Sequence, residues 1–275
     1  MTRIALFQST TGIDPQANAR ALVDAIDQAA TGSAEILFTP EMSGLLDSDA
    51  ARASGHRRVE QEDPVLAACC EAAKRNRIWV HLGSLGVLVD GGKVANRSFL
   101  IDREGQIRAR YDKIHLFDVD LPTGESWRES NTYAPGTKVA LINGTPVGKL
   151  GFAICYDMRF PALFARLAEA GADVIAVPAA FTVPTGKAHW HILLRARAIE
   201  AGLFVVAAAQ TGHHEDGRTT FGHSLVVDPW GEVLLDMGEA PGIGFADIDL
   251  SRISDVRSRI PALSHRRPIP DAITT

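Results

Sequence analysis

Cysteine is scarce in this chain. There are three in 275 residues, and two of them, Cys69 and Cys70, are neighbours in a helix-like segment, so no disulfide framework can be built. A reduced, cytoplasmic protein is expected. Long apolar runs are absent as well: none approaches the roughly 20 residues that cross a bilayer, which excludes a membrane-spanning helix. There is no basic face. The net charge is −5 with both signs interspersed, so neither nucleic acid nor an anionic membrane is an expected partner. No linker, internal repeat or low-complexity stretch divides the sequence. Glycine is plentiful, but its spacing around Gly144, Gly148 and Gly151 fits neither phosphate-binding fingerprint, and no nucleotide cofactor is expected. Thr2–Gln8 already reads as a strand, so no signal peptide is expected ahead of it.

What is there is an ordinary globular composition, 46% apolar and 22% charged, able to bury a large core. Asp14, with Pro15 behind it, should cap a helix carrying Ala19, Leu22, Val23, Ile26 and Ala30 at helical spacing. Ala34–Thr39 reads as a strand, and Asp63-Pro64 opens a second helix with Val65, Leu66, Cys69, Ala72 and Ala73 inward. Ile78–Val89 and Val94–Asp102 should pair as a hairpin about Asp90-Gly91-Gly92. From His115 to Gly136 the chain looks loop-rich, with Pro122, Gly124 and Pro135. Strands at Val147–Cys155, Asp173–Pro178 and Leu203–Gln210 then alternate with helices at Pro161–Ala170 and Lys187–Ala201. A hairpin of His223–Asp228 and Glu232–Asp236 and a last strand at Gly244–Asp249 follow, before an extended tail at Arg257–Thr275. Strand–helix alternation interleaved with hairpins predicts an α/β fold, mixed sheets covered by helices, in one domain over residues 1–275.

Three strand-like runs end on chemically useful side chains. Glu41 closes Ala34-Glu-Ile-Leu-Phe-Thr-Pro-Glu41, Lys113 follows Arg108-Ala-Arg-Tyr-Asp112, and Cys155 ends an apolar run just before the helix at Pro161. A thiol at the lip of a sheet is reachable as a nucleophile. Taken singly, a buried cysteine is usually an inert small hydrophobe, Glu41 a cap or surface charge, and Lys113 a solvated loop residue. The combination carries the reading of a Glu–Lys–Cys triad. Cys69 and Cys70 have no such context and should simply pack.

These residues resemble a known family. Thr39-Pro40-Glu41, Asp112-Lys-Ile-His-Leu-Phe-Asp-Val-Asp120 and Gly151-Phe-Ala-Ile-Cys-Tyr-Asp-Met-Arg-Phe-Pro161 are similar to the three signatures of the nitrilase (carbon–nitrogen hydrolase) superfamily, in the family's order. Ala180-Phe-Thr182, Thr185-Gly186, Ala188-His-Trp190, Leu194-Arg-Ala-Arg-Ala-Ile-Glu200, Gly222-His-Ser224 and Val227-Asp-Pro-Trp-Gly231 are similar to its Nit amidase branch. The resemblance implies a four-layer α-β-β-α sandwich. It implies hydrolysis of an ω-amide, such as deaminated glutathione or 2-oxoglutaramate, to carboxylate and ammonia. It also implies a homodimer or higher oligomer, formed through the helices at Pro161–Ala170 and Lys187–Ala201.

Such chemistry splits amide hydrolysis into acyl transfer to a thiol and then to water. A free thiol, with a pKa of about 8.5, is mostly protonated at neutral pH. Glu41 is expected to take its proton, with partial desolvation raising the carboxyl's own pKa toward that of a useful base. Lys113 would face the developing oxyanion, and the resemblance implies the Tyr156 backbone N–H as second donor. Glu129 matches by position the family's second glutamate, although Glu125 lies in the same polar loop. Neither a histidine nor a metal is required. Arg159 is the residue expected to select a substrate carboxylate, against the alternative of an ion pair with Asp157 or Asp118. Phe181, Thr182 and Thr185, the last in a loop bracketed by Pro184 and Gly186, are expected to line the same pocket. His189 and His191 should diverge on their helix, and His213-His-Glu-Asp216 should be a solvated loop rather than a metal cluster. Competing functions are an N-carbamoyl amide hydrolase, a true nitrilase, and a catalytically silent binding protein.

Overall fold

The computed structural model describes residues 1–120, 124 and 126–274; Pro122 and Glu125, named above, lie outside the described residues. The strands are β1 (Thr2–Gln8), β2 (Ile36–Phe38), β3 (Trp79–Leu88), β4 (Val94–Ile101), β5 (Ile107–Asp112), β6 (Asp118–Asp120), β7 (Ser126–Arg128) and β8 (Leu141–Thr145). They continue with β9 (Gly148–Phe152), β10 (Val174–Ala176), β11 (Phe204–Ala207), β12 (Thr211–His213), β13 (Thr219–Phe221), β14 (Leu225–Val227), β15 (Val233–Asp236) and β16 (Gly242–Ile248). Helices are α1 (Pro15–Thr31), α2 (Ala50–Ser54), α3 (Pro64–Asn76), α4 (Pro161–Glu169), α5 (Val183–Ala201) and α6 (Ser251–Arg259).

Local chemistry starts the two long helices of the first half. The Asp14 carboxylate accepts from the Gln16 N–H, and Asp63 from those of Val65 and Leu66, with proline in the first turn each time. Both helices turn an apolar stripe onto one six-stranded sheet, ordered β16-β1-β2-β3-β4-β5. Leu22 and Ile26 of α1, and Leu66 and Cys69 of α3, pack there with Ala5, Leu37, Val80, Leu82, Phe99 and Ile101. The alternate residues Ile4, Leu6, Ile36, Phe38 and Leu100 point the other way. They join a second cluster with Leu150, Phe152 and Val174 of the other six-stranded sheet, ordered β15-β14-β11-β10-β9-β8. Leu163, Phe164 and Leu167 of α4 and Trp190 and Leu194 of α5 belong to that cluster too, so helices form the outer layers on both sides. This is the α-β-β-α sandwich with mixed sheets.

Aromatic rings fill the space between the sheets. His81 lies between Phe38 and Phe152, with ring centroids 5.5 and 5.4 Å away, and Tyr111 is 6.4 Å from Phe152. Neither ring nitrogen of His81 has a hydrogen-bond partner among the described residues, and burial pushes its pKa down to about 3.

Strand direction decides where a ligand can sit. In the first sheet β1, β2 and β3 are parallel, and the hairpins to β4 and then β5 bring β5 back into the same direction. In the second, β9, β10 and β11 are parallel. Glu41 follows β2, Lys113 follows β5 and Cys155 follows β9, each at a carboxyl end, where α/β sheets place their ligands.

The structure departs from the sequence expectations at several elements. Helix α5 starts at Val183 rather than at Lys187, because Pro184 is compatible with a first helical turn and Thr182 takes the extended conformation preceding it. Thr185 therefore lies on the helix and not in a loop. The residues from Arg257 do not begin an extended tail: Arg257–Arg259 finish α6, anchored by buried Ile253 and Val256. The stretch from His115 to Gly136 contains the small β6–β7 hairpin, and β8 adds an edge strand that periodicity did not suggest.

Candidate active site

Glu41 is held where the chain leaving β2 runs close against the parallel strand β3. The Thr39 N–H donates to the His81 carbonyl at 3.0 Å, and the Gly83 N–H to Thr39 Oγ1 at 2.9 Å. A side chain at Gly83 would collide with the Thr39 and Pro40 carbonyls, so only glycine permits this approach. Met42, the next residue, has φ 58° and donates its N–H to Ser84 Oγ at 2.8 Å, which turns the chain back immediately after Glu41. From the second sheet, Gln210 Nε2 donates to the Glu41 carbonyl at 2.9 Å.

Cys155 sits on a ledge beyond the last residue of β9. The Ala153 N–H donates to the Ala176 carbonyl and the Cys155 N–H to that of Pro178, so the chain still follows its neighbour while it leaves the sheet. Cys155 itself has φ 48°, a conformation that favours glycine and that persists only where its surroundings impose it. Asp157 imposes it here. Fully buried, its carboxylate accepts from the Ile154 N–H at 2.9 Å, the Tyr111 hydroxyl at 2.7 Å and the His115 N–H at 3.0 Å. The Tyr156 N–H, next to the thiol, donates to no group among the described residues.

Three charges and one amide meet at this ledge. Lys113 Nζ lies 3.0 Å from Glu41 Oε1 and 3.1 and 2.9 Å from the two oxygens of Glu129. Asn96 Nδ2 reaches Glu41 Oε1 at 2.9 Å and Glu129 Oε1 at 3.2 Å. The Ala180 N–H donates to Glu41 Oε2 at 3.0 Å, and that of Phe117 to Glu129 Oε2 at 2.7 Å. Glu41, Lys113 and Cys155 are 5%, 2% and 8% exposed, so water screens this group poorly.

The electrostatics overturn one expectation. Burial is the largest influence on the Glu41 carboxyl and pushes it up, as anticipated, but the Lys113 ammonium pulls it down and does not act alone. With hydrogen bonds from Cys155, Lys113 and Asn96, the net result lies below the usual carboxylate range. Burial and the Glu41 charge together push the Cys155 thiol well above its ordinary value, against the opposing pull of Lys113. Burial works against a charge on Lys113, yet Glu129 and Glu41 raise its pKa well above normal. The resting site is therefore a neutral thiol beside a carboxylate and an ammonium.

A cavity of about 710 Å³ opens above these groups, and Glu41, Lys113, Glu129, Cys155, Tyr156, Arg159, Phe181, Thr182 and Thr185 all line it. Arg159 lies over the rings of Phe181 and Tyr156, at 5.6 and 5.9 Å, and within 3.2 Å of His189 Nδ1. Neither of its anticipated ion-pair partners is used: Asp157 is occupied as described, and Asp118 accepts from the Ser130 N–H at 3.0 Å. Asn96 was not anticipated. Its signal was faint: Asn96 and Ser98 share the β4 face that Leu100 turns toward the other sheet, two polar residues where apolar ones were due.

Other clusters do different work. His214 is buried, bonded to the Thr11 carbonyl at 2.9 Å and Thr220 Oγ1 at 2.7 Å, whereas His213 and Glu215 are exposed, so the His213–Asp216 stretch is solvated except at His214 and, in part, Asp216. His191 of α5 and His223 bracket Asp236 of β15, each 2.8 Å from a different carboxylate oxygen, with the Gly238 N–H adding a third bond. These three could share a metal ion, but they lie outside the cavity lining and already satisfy one another. Cys69 is sealed in the core beneath α3, and burial pushes the Cys70 thiol up to about 11.

Comparison with known proteins gives the family. The profile described as "Carbon-nitrogen hydrolase" matches residues 3–258, and the chain belongs to that family. It is 39% identical over 267 residues to a protein of Yersinia enterocolitica named deaminated glutathione amidase, covering 96% of this chain and 92% of the other. The nitrilase and fragile histidine triad fusion protein of Caenorhabditis elegans is 40% identical over 273 residues, but this chain spans only 60% of its length. The crystal structure of that protein superposes with a TM-score of 0.88 at 38% identity, covering 97% of this chain and 65% of the other. A structure of the amidase from Nesterenkonia sp. AN1, in a glutamate-to-glutamine variant, superposes with a TM-score of 0.82 at 27% identity, over 97% and 94% of the two chains. It carries the acetamide moiety of fluoroacetamide bound covalently to its active-site cysteine.

Proposed function

We propose that this protein is a cysteine amidase that hydrolyses a linear ω-amide bearing a distant carboxylate, with deaminated glutathione or a 2-oxo acid ω-amide as substrate. One observation carries the reading: Cys155, Glu41 and Lys113, all three buried, line one cavity, with Lys113 Nζ 3.0 Å from Glu41 Oε1.

The reaction starts from a neutral thiol beside a carboxylate and an ammonium. Glu41 takes the thiol proton as the sulfur attacks the amide carbonyl, and the oxyanion forms against Lys113 and the free N–H of Tyr156. Collapse breaks the carbon–nitrogen bond, the leaving nitrogen takes the proton from Glu41, and a thioester remains on Cys155. Glu41 then removes a proton from the attacking water, and returns it to the sulfur when the carboxylic acid leaves. Glu129 holds Lys113 together with Glu41. Arg159, stacked on two rings and without a carboxylate partner among the described residues, serves the substrate's carboxylate, with Phe181, Thr182 and Thr185 shaping the acyl site. The leaving group depends on the substrate. A 2-oxo acid ω-amide releases ammonia, whereas deaminated glutathione, whose scissile nitrogen carries the rest of the peptide, releases an amine.

No helix among the described residues is long and apolar enough to cross a membrane. We read the chain as one cytoplasmic domain acting as a homodimer and needing neither metal nor organic cofactor. The two sheets share one core and supply the site jointly, which supports a single unit.

The test is a panel of deaminated glutathione, 2-oxoglutaramate, an N-carbamoyl amino acid and a simple nitrile, assayed for released ammonia and primary amine. Turnover of the first two and not the last two is expected, with an acyl adduct on wild type by intact mass. Cys155→Ala should retain less than about 1% of the rate. Preference for the nitrile or the carbamoyl compound, or survival of activity in Cys155→Ala, would overturn the proposal.

A further inference from the structure

Asn96 occupies an unusual position. It is 1% exposed, at the point of β4 where the two glutamates and Lys113 meet. Its main-chain carbonyl accepts the Lys113 N–H at 2.9 Å, and its side-chain nitrogen reaches both Glu41 and Glu129. Its side-chain oxygen is buried with no partner among the described residues. Buried amides ordinarily satisfy both ends. Turning the amide over would point its oxygen at two carboxylates, which is tolerable only if they carry protons. The observed orientation suits two anions, one for each N–H.

Charge counting makes that demand plain. Two carboxylates face one ammonium away from water, and like charges at such range favour protonation of one of them. The groups facing Glu41 are Lys113 from the end of β5, Glu129 from the turn after β7, Cys155 from beyond β9, and Tyr133, whose phenol is under the influence of Arg57. Lys113 alone would have to hold both anions. We propose that Asn96 is a positioning residue whose two N–H donors, shared between Glu41 and Glu129, keep Glu41 charged beside its neighbour and open to the Cys155 proton. The inference depends on the proposed role of Glu41 as base but not on the identity of the substrate.

The sign of the effect follows. Asn96 is among the groups that lower the Glu41 pKa, so removing its donor raises that pKa, and the ionised base is lost at a higher pH as acid is added. The variant to make is Asn96→Leu, similar in size and without a donor. Two profiles against pH are read: kcat/KM on 2-oxoglutaramate, and the rate at which a haloacetamide alkylates Cys155. In both, the midpoint of the acid limb should rise by about one unit, a tenfold loss of ionised base at a given acid pH. Asn96→Ser, which keeps one donor, should shift the same way by less, and it carries the test if Asn96→Leu fails to fold. A purely structural role lowers rates by a constant factor and leaves the limb in place. An unmoved alkylation limb overturns the proposal, whichever amide is hydrolysed. If the limb moves while wild type turns over no ω-amide, the substrate reading fails and the role of Asn96 stands.

Discussion

Cys155 and Glu41 hold each other in reserve. Burial and the adjacent carboxylate keep the proton on sulfur, and Lys113 keeps the carboxylate ionised without making a thiolate. A thiolate stored at rest would react with any electrophile that entered, whereas a proton passed to Glu41 during attack is moved only when a carbonyl is in place. Discrimination therefore falls to the rest of the cavity, whose lining holds two arginines without an acidic partner among the described residues: Arg57, over the Tyr133 ring, and Arg159, which lies nearer the nucleophile in sequence and within 3.2 Å of His189 Nδ1. Arg159→Ala should lower kcat/KM on an acidic ω-amide by about 10–100-fold, the worth of one charge-assisted pair, and leave a neutral amide of equal length within a few-fold. Arg159→Lys should recover part of the loss, since a point charge cannot reproduce the fork. Because no ion pair is broken, the melting temperature should stay within about 2 °C in both variants. Equal losses on both amides would remove Arg159 from substrate recognition. Parallel steady-state rates with a thermal melt decide it.

At the scale of elements, the close approach of the chain after β2 to the parallel strand β3 aims Glu41. Gly83→Ala puts a methyl group against the Thr39 and Pro40 carbonyls, and backbone in a sheet cannot yield as a flexible side chain can. Expected are a melting temperature lower by several °C and activity reduced by at least about tenfold, since small misplacement of a base costs heavily. A variant with unchanged melt and rates would show that β2 shifts without penalty. Elements with local signals were legible from sequence. Asp14-Pro15 and Asp63-Pro64 start helices, Asp90-Gly91-Gly92 turns a hairpin, and Glu41, Lys113 and Cys155 do end strand-like runs. Elements fixed by distant partners were not. Helix α6 has only Ile253 and Val256 fully inside, too few for a periodicity, and α5 hides its start behind a proline that looked like a loop. The role of Asn96 was hidden for a related reason: its partners are 33 and 55 residues away in sequence, and only its polarity on an apolar strand face marked it. The lowered Glu41 pKa was missed because burial was anticipated and the 3.0 Å approach of Lys113 could not be.

The whole molecule leaves one apolar face unexplained. Ile192 and Ile199 on α5 are 68% and 51% exposed, with Trp230 and Leu234 also showing at the β14–β15 hairpin. The α4 residues Leu163, Phe164 and Leu167 are used inside the chain instead, so α4 offers no such stripe. The proposed twofold contact is thereby narrowed to α5 and the hairpin beside it. Light scattering at micromolar concentration should give about twice the 29.6 kDa of one chain, and Ile192→Asp should return it toward the single-chain value. A monomeric wild type would reject the contact.

The partition of the site between the two sheets also governs when the protein becomes reactive. Glu41 and Lys113 leave the ends of β2 and β5, Cys155 leaves β9, and they meet only because Ile4, Leu6, Ile36 and Phe38 have closed onto Leu150 and Phe152. A nascent chain emerges with base and lysine first and thiol later, so during synthesis Cys155 meets neither partner until the second sheet is made. Closure of the sandwich is then the step that assembles the site. A lesion that loosens the sheet–sheet contact, however far from Cys155, would be read by the cell as lost catalysis before it registered as lost protein.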